Sequence, residues 1–298
     1  MSSRAFVLGA VAYDPKVVAI WEGFKTYFTA RNLPFDFVLF SNYERQVEAH
    51  LAGHFDVAWN SPLAWIETQR AARRRGVAAH AIAMRDTDRD LTSVFVVRSR
   101  SAIASLADLR GKIVAVGASD SPQATLIPLL HLLEAGLRPG VDFEVRRHEL
   151  HVGKHGDHIG GERDAARLLI EGAADAACVI DSNSLAFAKD GTLPLGSTRI
   201  LAATPPYDHC NFTVLGAPHP GVEQFRALLL EMSYDDPAVR SLLDMEGLKR
   251  WLPGRVEGYA QLERAVDAFD TIEDWLNATS PETQSGSRPE AASRETRS

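Results

Sequence analysis

Cysteine is scarce: Cys178 and Cys210 are the only two in 298 residues. Two cysteines cannot build a disulfide framework, and without a CxxC pair there is no thiol zinc or redox motif. Cys178, within Ala176-Ala177-Cys178-Val179-Ile180, reads as a small buried hydrophobe. Long apolar runs are also missing, and no stretch approaches the roughly 20 residues of a transmembrane helix. The apolar run Ala5–Ala12 is short and stops at Tyr13-Asp14-Pro15-Lys16, which does not fit a secretory leader. With no lipid-anchoring cysteine near the start, the expected location is cytoplasmic, or periplasmic if a leader has been removed. Basic charge is in deficit, at a net -7, which argues against a nucleic-acid partner. The one basic run, Arg70 with Arg73, Arg74 and Arg75, reads as a solvated helix end. G-x-S-x-G, H-E-x-x-H, Walker and G-x-G-x-x-G motifs are absent, so no cofactor and no metal is expected. Asp86, Asp88 and Asp90 alternate, but without the Gly and Glu positions of an EF-hand they read as a solvated loop.

What is present is an ordinary globular composition, 45% hydrophobic and 24% charged, over a length suited to about two domains. Phe6–Val11 is a compact apolar run, the form of a strand buried on both faces. After Pro15, Val17, Ile20, Trp21, Phe24, Tyr27 and Phe28 recur at three- and four-residue steps, an amphipathic helix. Strands at 35–40, 55–59 and 78–84 then alternate with helices at 43–51 and 62–75, which predicts a parallel α/β sheet. A second block follows. Its strands are at 93–98, 113–116, 143–147, 176–180, 199–203 and 212–215, with helices at 123–135 and 163–171. Helices near 222–232, 237–243 and 261–276 close the ordered part. Residues 279–298 hold no apolar residue larger than alanine and should be disordered. The order predicts two α/β lobes, residues 1–92 with 215–278 and residues 99–203. Residues 93–98 and 204–214 would form a two-strand hinge, with an interlobe cleft as the default site.

Four ordered segments carry a resemblance. They are Asp56-Val57-Ala58-Trp59-Asn60-Ser61-Pro62, Ala107–Val116 with Ser119-Asp120-Ser121-Pro122, Gly172–Val179, and Thr204-Pro205-Pro206. Together they resemble the type II periplasmic binding proteins, nearest to the phosphate/phosphite/phosphonate substrate-binding group of ABC importers. The resemblance covers about residues 5–276. It implies a two-lobe fold, a small polar or anionic solute in the cleft, and an ABC permease as partner if the chain is exported. It also implies that the Ser119 loop, at a helix N-terminus, holds the solute's anionic head.

The residues agree with that expectation without requiring it. A helix N-terminus offers free N–H groups and a positive dipole end, and Ser119, Ser121 and Gln123 add polar side chains there. Plain N-capping by Ser119 or Ser121 remains open. Tyr13, Asn60 and Ser61 follow strand ends, where they could wall and orient a ligand or simply make turns. The sequence departs from the family in His148–Glu162, which carries His148, His151, His155 and His158, and in Pro206-Tyr207-Asp208-His209-Cys210-Asn211. His, Asp and Cys suit borderline metals, but His151, His155 and His158 match no established zinc spacing. His155, His158 and His209 are expected to approach the cleft. His158 and His209 are also the catalytic candidates of a second reading, a cytoplasmic lyase-like or biosynthetic enzyme on the same scaffold. Fold alone does not separate binding from catalysis.

Overall fold

The computed structural model describes residues 4–155 and 160–271, so His158 and the 279–298 tail lie outside the described residues. In the first part, strand β1 is Phe6–Val11, helix α1 Lys16–Thr29, β2 Phe35–Phe40, α2 Tyr43–Leu51, β3 Val57–Asn60, α3 Pro62–Arg74 and β4 Ala79–Arg85. The middle part holds β5 Ser93–Arg98, β6 Ile113–Ala115, α4 Ile127–Glu134, β7 Glu144–Arg146, α5 Gly160–Glu171, β8 Ala176–Ile180, α6 Asp181–Asp190 and β9 Thr198–Ala203. The chain then returns through β10 Asn211–Leu215, α7 Pro220–Leu230, α8 Pro237–Glu246, β11 Trp251–Pro253 and α9 Ala260–Phe269. Among the described residues no helix is long and apolar enough to cross a membrane.

These elements make two sheets. The first has the order β11-β4-β10-β3-β1-β2 and the second β7-β6-β8-β5-β9. Neither is wholly parallel, contrary to the expectation from strand–helix alternation. β1 is parallel to β2 and β3, and β6 to β7 and β8, whereas β10 and β5 run antiparallel to both neighbours. The reason is topological. β5 and β10 each enter their sheet from the other lobe, without the helical crossover that sets a parallel strand.

Each lobe has its own core. In the first, α1 buries the apolar stripe read from the sequence, stacking Phe24, Phe28, Phe35 and Phe225 beside Trp59, Phe212 and Trp251. In the second, one face of the sheet packs Ala115, Ala165, Ala166 and Ala177 beside Val94, Val96 and Val179, and the other packs Phe95, Leu129, Leu132 and Phe143. α9 packs Leu262, Ala265 and Val266 against Trp65 and Ile66 of the first lobe and Leu126, Ile127 and Leu130 of the second.

The first crossing precedes the expected 93–98, and the second falls within the expected 204–214. β5 lies inside the second sheet and β10 inside the first, leaving residues 86–92 and 204–210 to make the passage. Leu91 and Tyr207 exchange reciprocal backbone bonds of 2.9 Å, and His209 N–H donates to the Asp88 carbonyl at 2.8 Å. Beside them Asp208, buried, takes a two-pronged grip from Arg255 at 2.6 Å on each oxygen. Gly258 lies so close that a Cβ would meet Asp208 Cγ at 2.1 Å, so any side chain at 258 would push this ladder apart.

Candidate functional site

A cavity of about 240 Å³ opens where the two lobes and the two crossing segments meet. The first lobe contributes Tyr13, Lys16, Trp59 and Arg85; the crossings contribute Thr87, Asp88, Leu91, His209 and Cys210. The second lobe contributes Gln123, Glu162, Ile180, Ser182 and Asn183.

The floor is built around one carboxylate. Asp88 lies three residues beyond Arg85, whose Nε and Nη2 donate to its two oxygens at 2.6 and 2.9 Å. It is 1% exposed, which overturns its reading as part of a solvated loop. Burial alone would raise its carboxyl, but Arg85 and His209 win and hold it at about 2. Arg85 also donates to Glu246 at 3.2 Å and lies 5.1 Å over the Trp59 ring, so its charge is already matched. His209 joins the floor to the second lobe. Its Nδ1 is 3.1 Å from Cys210 Sγ and 3.6 Å from Asp88 Oδ1, and its Nε2 is 3.4 Å from Gln123 Oε1. Gln123 Nε2 points on to Glu162 Oε1 at 3.5 Å. Glu162, buried near the start of α5, accepts from Ile180 N and Asn183 Nδ2 at 2.9 Å each. Burial raises its carboxyl pKa, against the pull of those hydrogen bonds.

Of the residues singled out in the sequence, Tyr13, Gln123 and His209 therefore line this cavity. The others are placed differently. Asn60 is fully buried beneath the floor, bonded to Gln46, Thr68 and Thr213. Ser61 caps α3 by accepting from Ala64 N, and Ser121 caps the turn before α4 by accepting from Ala124 N. That turn, Pro122–Leu126, is wound as a π-helix, which separates Ser121 from α4 proper. Ser119 is exposed and gives both its N–H and its hydroxyl to Glu149.

His155 marks a second contact between the lobes. The segment before it leaves the second lobe and reaches the first. Tyr43 N–H donates to the Gly153 carbonyl at 3.0 Å, and Lys154 Nζ donates to the Ala12 carbonyl at 2.8 Å. His155 itself is fully buried, stacked on Tyr43 at 4.8 Å, with Nδ1 2.7 Å from Ser61 Oγ. Its Nε2 lies 3.7 Å from Glu44 and 3.9 Å from Glu67. Burial would lower the imidazole pKa, but Glu67, Glu44 and Asp120 together raise it to about 9. Glu67, also buried, is pushed up to about 8 by burial, despite the pull of His155. This network is a strap across the cleft rim and does not line the cavity.

Arg85, Asp88, Glu162 and Cys210 were not singled out as site residues. Asp88 carried a signal in its three-residue spacing from Arg85, and Cys210 in its place beside His209. Glu162 carried none that distinguishes it from any acid in a helix's first turn.

Two mixed α/β lobes, joined by two crossing segments with a polar cavity at the crossing, define a two-lobe solute-binding protein. Residues 9–259 match the family described as ABC transporter, phosphonate, periplasmic substrate-binding protein, and the chain belongs to it. It binds its solute in the interlobe cleft. Among solved structures it is similar to PhnD1 from Prochlorococcus marinus (MIT 9301) in complex with methylphosphonate. The two share 19% identity over 90% of this chain and 99% of that one, with a TM-score of 0.66. XAC2383 from Xanthomonas citri bound to ATP is similar at 18% identity, over 91% and 99% of the chains, with a TM-score of 0.67. A binding protein component of an ABC phosphonate transporter from Pseudomonas aeruginosa shares 12% identity over 94% and 96%, at a TM-score of 0.60. At these identities the likeness is one of fold. The enzyme alternative gains no support from them. The family is periplasmic, which does not support the cytoplasmic expectation.

Proposed function

We propose that this chain captures a small zwitterion carrying a phosphonate-type acidic head and an amine, outside the cytoplasmic membrane, and delivers it to an ABC permease. The observation that carries the reading is the charge pattern of the cavity. Arg85 is matched by Asp88 and Glu246, so it offers little net charge to an incoming anion. Lys16, exposed at the first-lobe rim, is the cation left to meet an acidic head. On the second lobe, buried Glu162 faces the same space and suits an amine, whose positive charge would favour its ionised form against burial. The volume supports a compact solute. About 240 Å³ lies below the range usual for drug-sized ligands.

Calorimetry with methylphosphonate and with a short aminoalkylphosphonate tests the reading. The amino compound should bind at least tenfold more tightly, and Glu162→Gln should erase most of that preference. Equal affinity for the two probes, or no binding of either, would refute the zwitterion assignment.

A further inference from the structure

The floor of the cavity holds a donor set that solute binding alone does not explain. Asp88, His209 and Cys210 are all buried, and one ligand atom from each lies within 4.8 Å of the others. The side chains come from both crossing segments and converge on one nitrogen. His209 Nε2 faces the Gln123 amide oxygen, the same amide whose nitrogen points to Glu162, so Nε2 carries a proton. That turns Nδ1 toward Cys210 Sγ and Asp88 Oδ1, a gap that a proton on Nδ1, or a metal ion in its place, can bridge. A lone pair and a carboxylate oxygen 3.6 Å apart repel unless a proton or a cation lies between them. In a nucleophilic Cys–His–Asp relay the thiol and the carboxylate would use different ring nitrogens. Here both address Nδ1, which is the arrangement of ligands around a shared ion.

We propose that Asp88, His209 and Cys210 hold a divalent transition-metal ion of the zinc class at the cleft floor, its fourth position open to the cavity. Tetrahedral zinc with ordinary bond lengths has ligand edges of about 3.4 Å for N to O and about 3.6 Å for N to S. The observed 3.6 and 3.1 Å bracket those values, so Sγ needs to open by about half an ångström. The mix of thiolate, imidazole and carboxylate selects borderline metals over magnesium or calcium. Second-sphere groups are in place: Gln123 fixes the imidazole, and Arg85 holds the carboxylate while leaving Oδ1 a second lone pair. With Cys210 as thiolate, Asp88 and Glu246 outweigh Arg85, and the site is net negative. Binding releases the thiol proton to solvent. The inference does not depend on the identity of the solute.

Titrating the EDTA-treated full chain with Zn²⁺ and with Co²⁺ alone tests it. One equivalent should bind, and Co²⁺ should show a thiolate charge-transfer band in the near ultraviolet. Cys210→Ser should abolish that band, and both Cys210→Ser and His209→Gln should weaken Zn²⁺ at least tenfold. Cys210 is a core residue, so His209→Gln, checked by circular dichroism, carries the test if the serine variant fails to fold. Absence of stoichiometric binding, or binding unchanged in His209→Gln, would overturn the site; the latter would place the metal elsewhere, for instance on His148–His158. Measuring the phosphonate probes on the EDTA-treated protein keeps failure of this site separate from failure of the solute assignment.

Discussion

The cleft floor and the cleft rim each bury a carboxylate beside a histidine, yet the two carboxylates end in opposite states. Asp88 at the floor is held at about 2, while Glu67 at the rim is pushed to about 8. Both are nearly inaccessible to water, so burial alone does not separate them. The difference is a guanidinium. Arg85 clamps Asp88 with two hydrogen bonds, whereas Glu67 has His155 at 3.9 Å as its near cation and Glu44 and Asp120 as opposing charges. Desolvation pushes both carboxyls up, and the neighbouring charges decide where each one ends. The floor is thus built to stay ionised across the physiological range, and the rim to change its charge within it.

The comparison breaks most visibly at Arg85. Arg85→Met should cost roughly 3–5 kcal/mol in denaturant unfolding, because it strands Asp88 and Glu246 as buried charges. A loss below about 1 kcal/mol would show that the guanidinium is not what holds the floor. The next effect belongs to His155. Its folded pKa, about 9, lies above the ordinary 6.5, so its contribution is fully present below pH 6.5 and is lost as pH rises through 9. Glu67, raised from 4.5 to about 8, acts in the same direction. Stability should therefore fall by roughly 1–3 kcal/mol between pH 6.5 and pH 9, and His155→Gln should flatten that slope. A wild-type profile flat over this window would sink the account. Glu67→Gln sharpens it further. Because burial favours the neutral form of Glu67, the amide should cost less than about 1 kcal/mol at pH 6, while Asp88→Asn costs more in the same assay. The smallest effect is expected of Lys154→Met. It removes an exposed bond to the Ala12 carbonyl and should change stability by less than about 1 kcal/mol in thermal melts.

The legible part of the fold was the part governed by local pattern. Phe6–Val11, Ser93–Arg98 and Ala176–Ile180 stand where their apolar runs placed them, because each is buried on both faces, and Phe35–Phe40 does so as an edge strand with Asp36 and Val38 exposed. α6 was missed because Asp181–Asp190 buries only Phe187 and so shows no apolar stripe. β11 was missed because three residues are too few to show alternation. Strand direction failed for β5 and β10 because it depends on which lobe the chain comes from, which no window of sequence records. In the site, Gln123 and His209 were legible from residue type and position. Asp88 was not, because the feature that buries it is an arginine contact sealed by Trp59 and Glu246, distant in sequence. Ser119 and Ser121 lie outside this cavity, and their role was not legible for a physical reason. A serine that caps a turn or meets a neighbouring glutamate looks the same in sequence as one that waits for an anion.

The ladder of Leu91, Tyr207, His209 and Asp88 works like the pin of a pair of tongs. Were one sheet to rotate against the other, those few backbone bonds are where the turn would fall, with the 148–155 strap at a separate contact between the lobes. His209 and Asp88 sit both on the pin and in the cavity wall, so what binds there acts with almost no leverage. In such a rotation a small shift at the pin would become a larger displacement at the rim. The floor is accordingly the place to read a solute's presence, and the rim the place to amplify it.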